Sequence, residues 1–227
     1  MARLEPVAHI RTDFSSKFGI PRQSGLVEAL KGTIVFTEKY RDASALRGIE
    51  GYSHLWLIWE FSESVLERWS PTVKPPRLGG NTRVGVFATR SPFRPNPLGL
   101  SCVQLEGVEL SSPEGPVLHV AGADLLDGTP IYDIKPYIPY ADCHPEATGG
   151  FTDSIDYARL NVDFPPALLA LIPAEKREAL IEVLAQDPRP GYRHGDDERR
   201  YGVEFAGFDV RFAVKGDTLF VLEVVKL

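Results

Sequence analysis

The 227-residue chain has only two cysteines, Cys102 and Cys143, and neither sits in a Cys-x-x-Cys pair or beside a histidine cluster. That leaves a disulfide framework or a zinc centre without support, and no metal is expected. No stretch approaches the roughly 20 apolar residues that span a bilayer. The start MARLEPVAHIRTDF lacks the apolar core of a secretory signal, so a cytoplasmic protein without membrane contact is expected. Gly-x-Gly-x-x-Gly, Gly-x-x-x-x-Gly-Lys-Ser/Thr and Gly-x-Ser-x-Gly are all absent. Their absence leaves a dinucleotide fingerprint, a phosphate loop and a serine-hydrolase elbow without motifs. Acidic residues are missing from one long stretch: between Arg68 and Leu105 there is no Asp or Glu.

That last absence matters because the whole chain carries a net charge of −6. The segment holds six basic residues, Arg68, Lys74, Arg77, Arg83, Arg90 and Arg94, which leaves −12 on the rest. The average argues against indiscriminate coating of nucleic acid, whereas the local patch can meet phosphates or simply face solvent. With 43% hydrophobic and 10% aromatic residues there is enough apolar material for a real core.

Short β-type runs recur between turn signals: VAHIRT, GTIVFTE (32–38), SHLWLIWEF (53–61), TRVGVFAT (82–89), LSCVQLEGVEL (100–110) and PVLHVAGADLL (116–126). Without helical patterns between them they predict a mainly β antiparallel sheet or barrel rather than βαβ units. The texture changes after Asp142. Residues 1–145 are read as the barrel domain, 146–170 as a connecting segment and 171–227 as a small α+β C-terminal domain. In the last, PAEKREALIEVLAQ predicts a helix opened by Pro173, and VEFAGFDVRFAV and TLFVLEVV predict a hairpin joined at Lys215-Gly216-Asp217.

Chemistry concentrates in GVFATRSPFRPNPLGLS (85–101). Pro92, Pro95 and Pro97 fix φ and lack N–H groups while keeping their carbonyls, which makes a stiff segment rich in acceptors. Asn96 can pair with a base edge, and Arg90 and Arg94 can meet a carboxylate or phosphate bidentately. A rigid surface crossover is the plainer explanation. DLLDGTPIYDIKPYIPYAD (124–142) brings Asp127 and Asp133 near tyrosines, although Asp127-Gly128 is also an ordinary turn signal. His54, alone in an apolar strand, reads as a buried structural histidine, and Trp56 and Trp59 read as core. The residues alone reach a barrel with a positive, proline-stiffened pocket for a nucleotide-like ligand. A nucleotide- or RNA-binding barrel without turnover fits them as well as an enzyme does.

Taken together, GYSHLWLIWEF, KPPRLGG, GVFATRSPFRPNPLGLS and DLLDGTPIYDIKPYIPYAD, followed by EVLAQDPRPGYR, resemble the S-adenosylmethionine-dependent tRNA (adenine-N6)-methyltransferase family. The resemblance covers nearly the whole chain. It implies a single-sheeted β-barrel, a homodimer, and N6-methylation of threonylcarbamoyl-adenosine beside the anticodon of tRNA, with threonine tRNA the expected substrate. It implies S-adenosylmethionine contacts at Pro21, Arg22, Gln23, Ser62, Glu63, Arg90, Leu100, Leu126, Asp127, Gly128 and Thr129. Ser62-Glu63 departs from the His-Gln of other members, so a backbone contact is expected there. On this reading Asn96, Asp127 or Asp133 accepts the hydrogen bond of the reacting amine. Lys74, Arg77, Arg83, Arg94, Arg189, Tyr192 and Arg193 hold the tRNA anticodon loop.

Overall fold

The structure, a computed structural model, describes residues 4–64, 68–78, 81–155, 157–189 and 199–227, with Arg77 described in its backbone alone. In chain order the strands are β1 (Ala8–Arg11), β2 (Lys31–Phe36), β3 (His54–Glu60), β4 (Thr72–Val73), β5 (Val84–Gly85), β6 (Leu98–Ser112), β7 (Gly115–Ala121), β8 (Pro130–Pro136), β9 (Asn161–Asp163), β10 (Tyr201–Phe205), β11 (Phe208–Lys215) and β12 (Thr218–Lys226). The α-helices are α1 (Pro139–Asp142), α2 (Pro166–Leu169) and α3 (Ala174–Ala185). Antiparallel pairing in the order β1-β2-β7-β6-β3-β8, with β8 returning to β1, closes a barrel. Closure removes the sheet edges that would otherwise expose unpaired backbone.

The period of two sets the lining. In β3, Leu55, Leu57 and Trp59 are buried inward while His54, Trp56 and Ile58 take the other face. His54 is thus exposed, contrary to the sequence expectation, and its Nδ1 lies 2.9 Å from Ser53 Oγ. Trp56 is also outward, with its indole N–H donated to Asp142 at 3.0 Å. Gly99 on β6 lies against the Trp59 indole so closely that a Cβ there would come within 2.3 Å of the ring. Gly99→Ala is therefore expected to displace Trp59 and to cost about 1–3 kcal/mol. Thermal unfolding reads this, and an unchanged midpoint contradicts it.

Other sequence expectations also differ from the structure. The run 82–89 yields only the two-residue β5 followed by a 3-10 turn at Val86–Ala88. Of its apolar residues Val86 is buried while Phe87 stays out, so the run does not present one face to the core. Conversely β8 forms within the stretch read as a turn and site, because Ile131 and Ile134 supply an apolar face against the barrel core.

Strand direction places the long connections. Because every neighbour in the barrel is antiparallel, β1, β3 and β7 end, and β2, β6 and β8 begin, at one rim. Residues 12–30, 61–97 and 122–129 therefore converge on that rim.

The second core belongs to a four-stranded sheet of order β10-β11-β12-β9 covered by α3. Its β9 runs parallel to β12 and comes from the segment expected only to connect. The run expected as one hairpin arm, 203–214, is itself a hairpin, turning at Ala206 and Gly207 with φ of 51° and 81°. Ala179, Leu180, Val183 and Leu184 of α3 fill this core, together with Phe14, Val27 and Leu30 from the rim segment 12–30. Phe14 meets Phe205 edge-on at 5.3 Å between ring centres. Lys176 pairs with Asp13 at 2.7 Å, and Ala206 N–H donates to Asp13 O at 2.8 Å. The rim segment is thus held by both cores.

Candidate active site

Four stretches meet at the shared rim: the turn at 21–25, the proline loop, the start of β6, and residues 122–129. The turn is tied down by backbone pairing, with Gly25 N–H on Gly122 O at 2.9 Å. Gly25 and Gly122 both have positive φ, and a Cβ on Gly122 would lie 3.3 Å from Gly25. Only glycine serves at such a close left-handed approach. From this turn the Gln23 side-chain amide donates to Arg22 O, its carbonyl accepts from Arg90 Nη1, and Arg22 Nη2 donates to Arg189 O at 3.2 Å. Arg90 is exposed, so its guanidinium, steadied by Gln23, faces solvent at the rim.

The turn at 126–129 is strapped to the end of β1. Asp127 N–H donates to Phe14 O at 2.9 Å, Gly128 N–H to Ile10 O at 2.8 Å, and Thr12 N–H to Asp127 Oδ1 at 3.0 Å. Thr129 is buried, with its hydroxyl on Leu126 O at 2.7 Å. Leu126 itself packs on the second core. Asp127 is left exposed between two shallow clefts of about 330 Å³ and about 390 Å³, one toward Lys176 and Gly207, the other toward Arg11 and Arg41. Neither of these two clefts is lined by Arg90.

The proline loop is stiffer and less rich in free acceptors than its sequence implies. The carbonyls of Pro92, Asn96 and Pro97 accept from the N–H groups of Arg94, Leu98 and Phe61 at 3.0, 2.7 and 2.8 Å. Arg94 turns back onto Thr89 O at 3.0 Å and staples the loop. Asn96 is exposed, and among the described residues its side-chain amide makes no hydrogen bond. Leu100 faces outward, half exposed, at the start of β6. Ser62 and Glu63 form a 3-10 turn beside it in the fold's order, where Lys17 Nζ donates to Glu63 O at 2.8 Å and lies 3.5 Å from its carboxylate.

Several expected residues lie elsewhere or do other work. Asp133 is on the barrel wall, paired with Lys135 at 2.8 Å and accepting from Ile134 N–H, away from the rim loops. The register shift opposite Ile58 and Trp59 lets Ile131 and Ile134 both pair with inward residues of β3 and leaves Asp133 opposite the outward Ile58. Arg189 is only 4% exposed and forms a bidentate pair with Asp187 at 2.8 and 2.9 Å. That guanidinium is not presented to a phosphate. Its carbonyl braces Arg22 instead. Lys74 is exposed, and Arg83 donates to Thr72 Oγ1 at 2.9 Å across β4 and β5. Tyr192, Arg193 and the Arg77 side chain lie outside the described residues.

Sequence reasoning missed two features. Trp69, Phe87 and Phe93 are exposed among the basic residues, with Trp69 and Phe87 6.4 Å apart. The spacing of aromatics through the acid-free segment was the available signal. Asp124, partly buried below the turn, accepts from Ser101 Oγ at 2.6 Å, and Ser101 Oγ accepts from the Trp59 indole N–H at 2.9 Å. Burial pushes its carboxyl up to about 6, against the opposing pull of Ser101, its own N–H, Arg90 and Ser24 N–H.

Comparison with known proteins decides the class. The tRNA-methyltransferase O N-terminal domain matches residues 9–143, and the TrmO C-terminal domain matches residues 157–227. The chain belongs to the tRNA-methyltransferase O family. It is 43% identical to the tRNA (adenine(37)-N6)-methyltransferase of Escherichia coli K12, over 97% of each chain. It is 39% identical to RcsF of Pseudomonas aeruginosa, described as an S-adenosylmethionine-dependent methyltransferase, over 97% of this chain and 96% of that one. A crystal structure of TrmO from Pseudomonas aeruginosa superposes with a TM-score of 0.80 at 35% identity, covering 99% of this chain and 98% of that one. The expectation of a barrel-fold methyltransferase is met.

The methyl donor of this family, S-adenosylmethionine, fits the groups at the rim. Arg90 offers an exposed guanidinium for a carboxylate, Asp127 an exposed carboxylate for ribose hydroxyls or an ammonium group, and Leu100 an exposed apolar side chain for a base. Among the described residues no helix is long and apolar enough to cross a membrane.

Proposed function

We propose that this protein methylates N6 of threonylcarbamoyl-adenosine at position 37 of threonine tRNA, acting as a homodimer on the anticodon loop. The observation that carries the reading is the convergence of residues 12–30, 61–97 and 122–129 on one barrel rim in a chain of this family. Membership of the family supplies the reaction class, and the relative from Escherichia coli is named for adenine 37.

When bound, the donor supplies an already activated methyl group, so the protein's part is positioning. Arg90, Gln23 and the Leu126–Thr129 turn hold the donor. An adenine N6 lone pair is delocalised into the ring, and an acceptor facing its N–H favours the geometry in which it attacks. Asn96, with its free amide at the tip of the stiff loop, and Asp127 are the acceptors available at the rim. Asp133 is too far along the wall to share this role. Beyond the donor, Lys74 and Arg83 offer charge to loop phosphates, and Trp69, Phe87 and Phe93 offer faces on which splayed bases stack. A substrate carboxylate, such as that of the threonylcarbamoyl group, suits a second guanidinium on this surface.

The test is methyl transfer from labelled S-adenosylmethionine to threonine tRNA with or without the threonylcarbamoyl group. Incorporation is expected only into the modified tRNA. Equal incorporation into both removes the substrate assignment, and donor binding with no incorporation into either returns the barrel to a non-catalytic binding role.

A further inference from the structure

Below the donor turn lies a hydrogen-bonded column with no part in the scheme above. Trp59 is set by β3 to point into the barrel mouth and lies flat against Gly99. Its indole N–H reaches Ser101, the next inward residue of β6, and the Ser101 hydroxyl reaches the Asp124 carboxylate. The backbone of Ser24, which follows Gln23, faces Asp124 closely enough to favour its charged form. Ser24 Oγ accepts from Cys102 N–H at 3.0 Å, and the neighbouring Gly25 is paired with Gly122. The column joins two barrel strands to the one turn that carries Arg22 and Gln23.

We infer that Asp124 is a positioning residue for donor binding: by holding Ser101 beside the Cys102 N–H that binds Ser24 it fastens the Arg22–Gln23 turn to β6, and its charge attracts Arg90 at the rim. The inference rests on the donor-site reading given above. Even a partly buried carboxylate is retained at a cost, because ionised groups lose hydration on burial. A neutral residue of the same shape would fill the space without that loss, so the charge has a use. The groups facing it are Ser101 from β6, Trp59 through Ser101 from β3, Ser24 from the turn and Arg90 from the proline loop. Arg90 is the charged member, acting at Coulombic range.

Two signs follow. The Asp124 carboxyl stands near 6, above its ordinary 3.8. The folded state therefore holds that proton more tightly than the unfolded chain, and ionised Asp124 opposes folding above this pH. The structural contribution and the positioning role thus respond to pH in opposite directions: folding is favoured as pH falls through about 6, while the anchor is lost.

The experiment compares wild type, Asp124→Asn and Ser101→Ala by calorimetric titration with S-adenosylmethionine from about pH 5 to about pH 8, with thermal unfolding alongside. At neutral pH Asp124→Asn is expected to bind the donor about tenfold more weakly, the loss of one hydrogen bond to a charged group. Its thermal midpoint should be no lower than wild type. Wild-type affinity should fall toward the variant's as pH drops through about 6, whereas the variant's stays flat. Ser101→Ala should weaken binding in the same direction. Wild-type affinity in Asp124→Asn, or an unchanged acid fall, overturns the inference. Amide exchange at Ser24 and Gly25 reads the anchor with no donor present: faster exchange in Asp124→Asn is expected, and unchanged protection overturns it. A wild-type protein that binds no donor would refute the donor-site reading while leaving that exchange result to decide the anchor.

Discussion

Arg90→Ala is expected to weaken S-adenosylmethionine binding by about ten- to a hundredfold while leaving the thermal midpoint close to wild type. The asymmetry comes from where the side chain sits. Arg90 is exposed and held by the neutral Gln23, so its removal takes little from the folded state. A donor carboxylate that lost a charge-assisted partner would lose about 1.5–3 kcal/mol, which sets the affinity range. A second effect reaches Asp124, whose carboxyl is held down in part by Arg90. Without that guanidinium it should rise further above about 6. The remaining donor affinity should then fall off at a higher pH than in wild type. Calorimetric titration across pH measures both effects, and a well-folded variant with unchanged affinity would remove Arg90 from the donor site.

The barrel was legible because its signal is short-ranged. SHLWLIWEF is apolar from Leu55 to Trp59, which marks a strand but not its faces, so His54 and Trp56 were assigned to the interior although only Leu55, Leu57 and Trp59 face it. β8 escaped because proline, aspartate and tyrosine interrupt its apolar period, and tertiary pairing with β1 and β3 overrode the local pattern. The helix was plain from its apolar spacing. By contrast, β9 has only three residues and exists through pairing with β12, 57 positions later, which no local window can see.

The site divides along the same line. Charge and proline marked the loop at 85–101, but nothing local revealed that Arg94 staples it or that the carbonyls of Pro92 and Asn96 accept from the loop's own N–H groups and that of Pro97 from Phe61. Arg189 was read as a phosphate contact because it lies in a proline-stiffened stretch with a second arginine, Arg193. Asp187, two residues earlier, buries it. Asp124 did leave a trace: it is a carboxylate flanked by Ala123 and Leu125, both buried, at the end of an apolar strand. A charged residue in such a place needs a partner, and Ser101 and Ser24 are the partners distance in sequence concealed.

Phe14→Ala is expected to have the largest effect on stability and to reach the donor site as well. The ring is 1% exposed and packs edge-on against Phe205 in the second core, so truncation should cost about 3–5 kcal/mol. That is a large share of the roughly 5–15 kcal/mol by which domains are stable. Phe14 also accepts the Asp127 N–H through its carbonyl, and its neighbour Asp13 is tied to Lys176 and Ala206. A shift of this segment therefore moves the Leu126–Thr129 turn. Phe205→Ala removes the other ring of the pair without touching a residue bonded to that turn, and it serves as the control. At a low temperature where both variants are folded, Phe14→Ala should bind S-adenosylmethionine clearly more weakly than Phe205→Ala, despite similar losses in thermal midpoint. Equal donor affinity in the two would mean that the second core only stabilises the fold. Weaker binding in Phe14→Ala alone would mean that the segment between the cores carries the geometry of the C-terminal unit into the donor site.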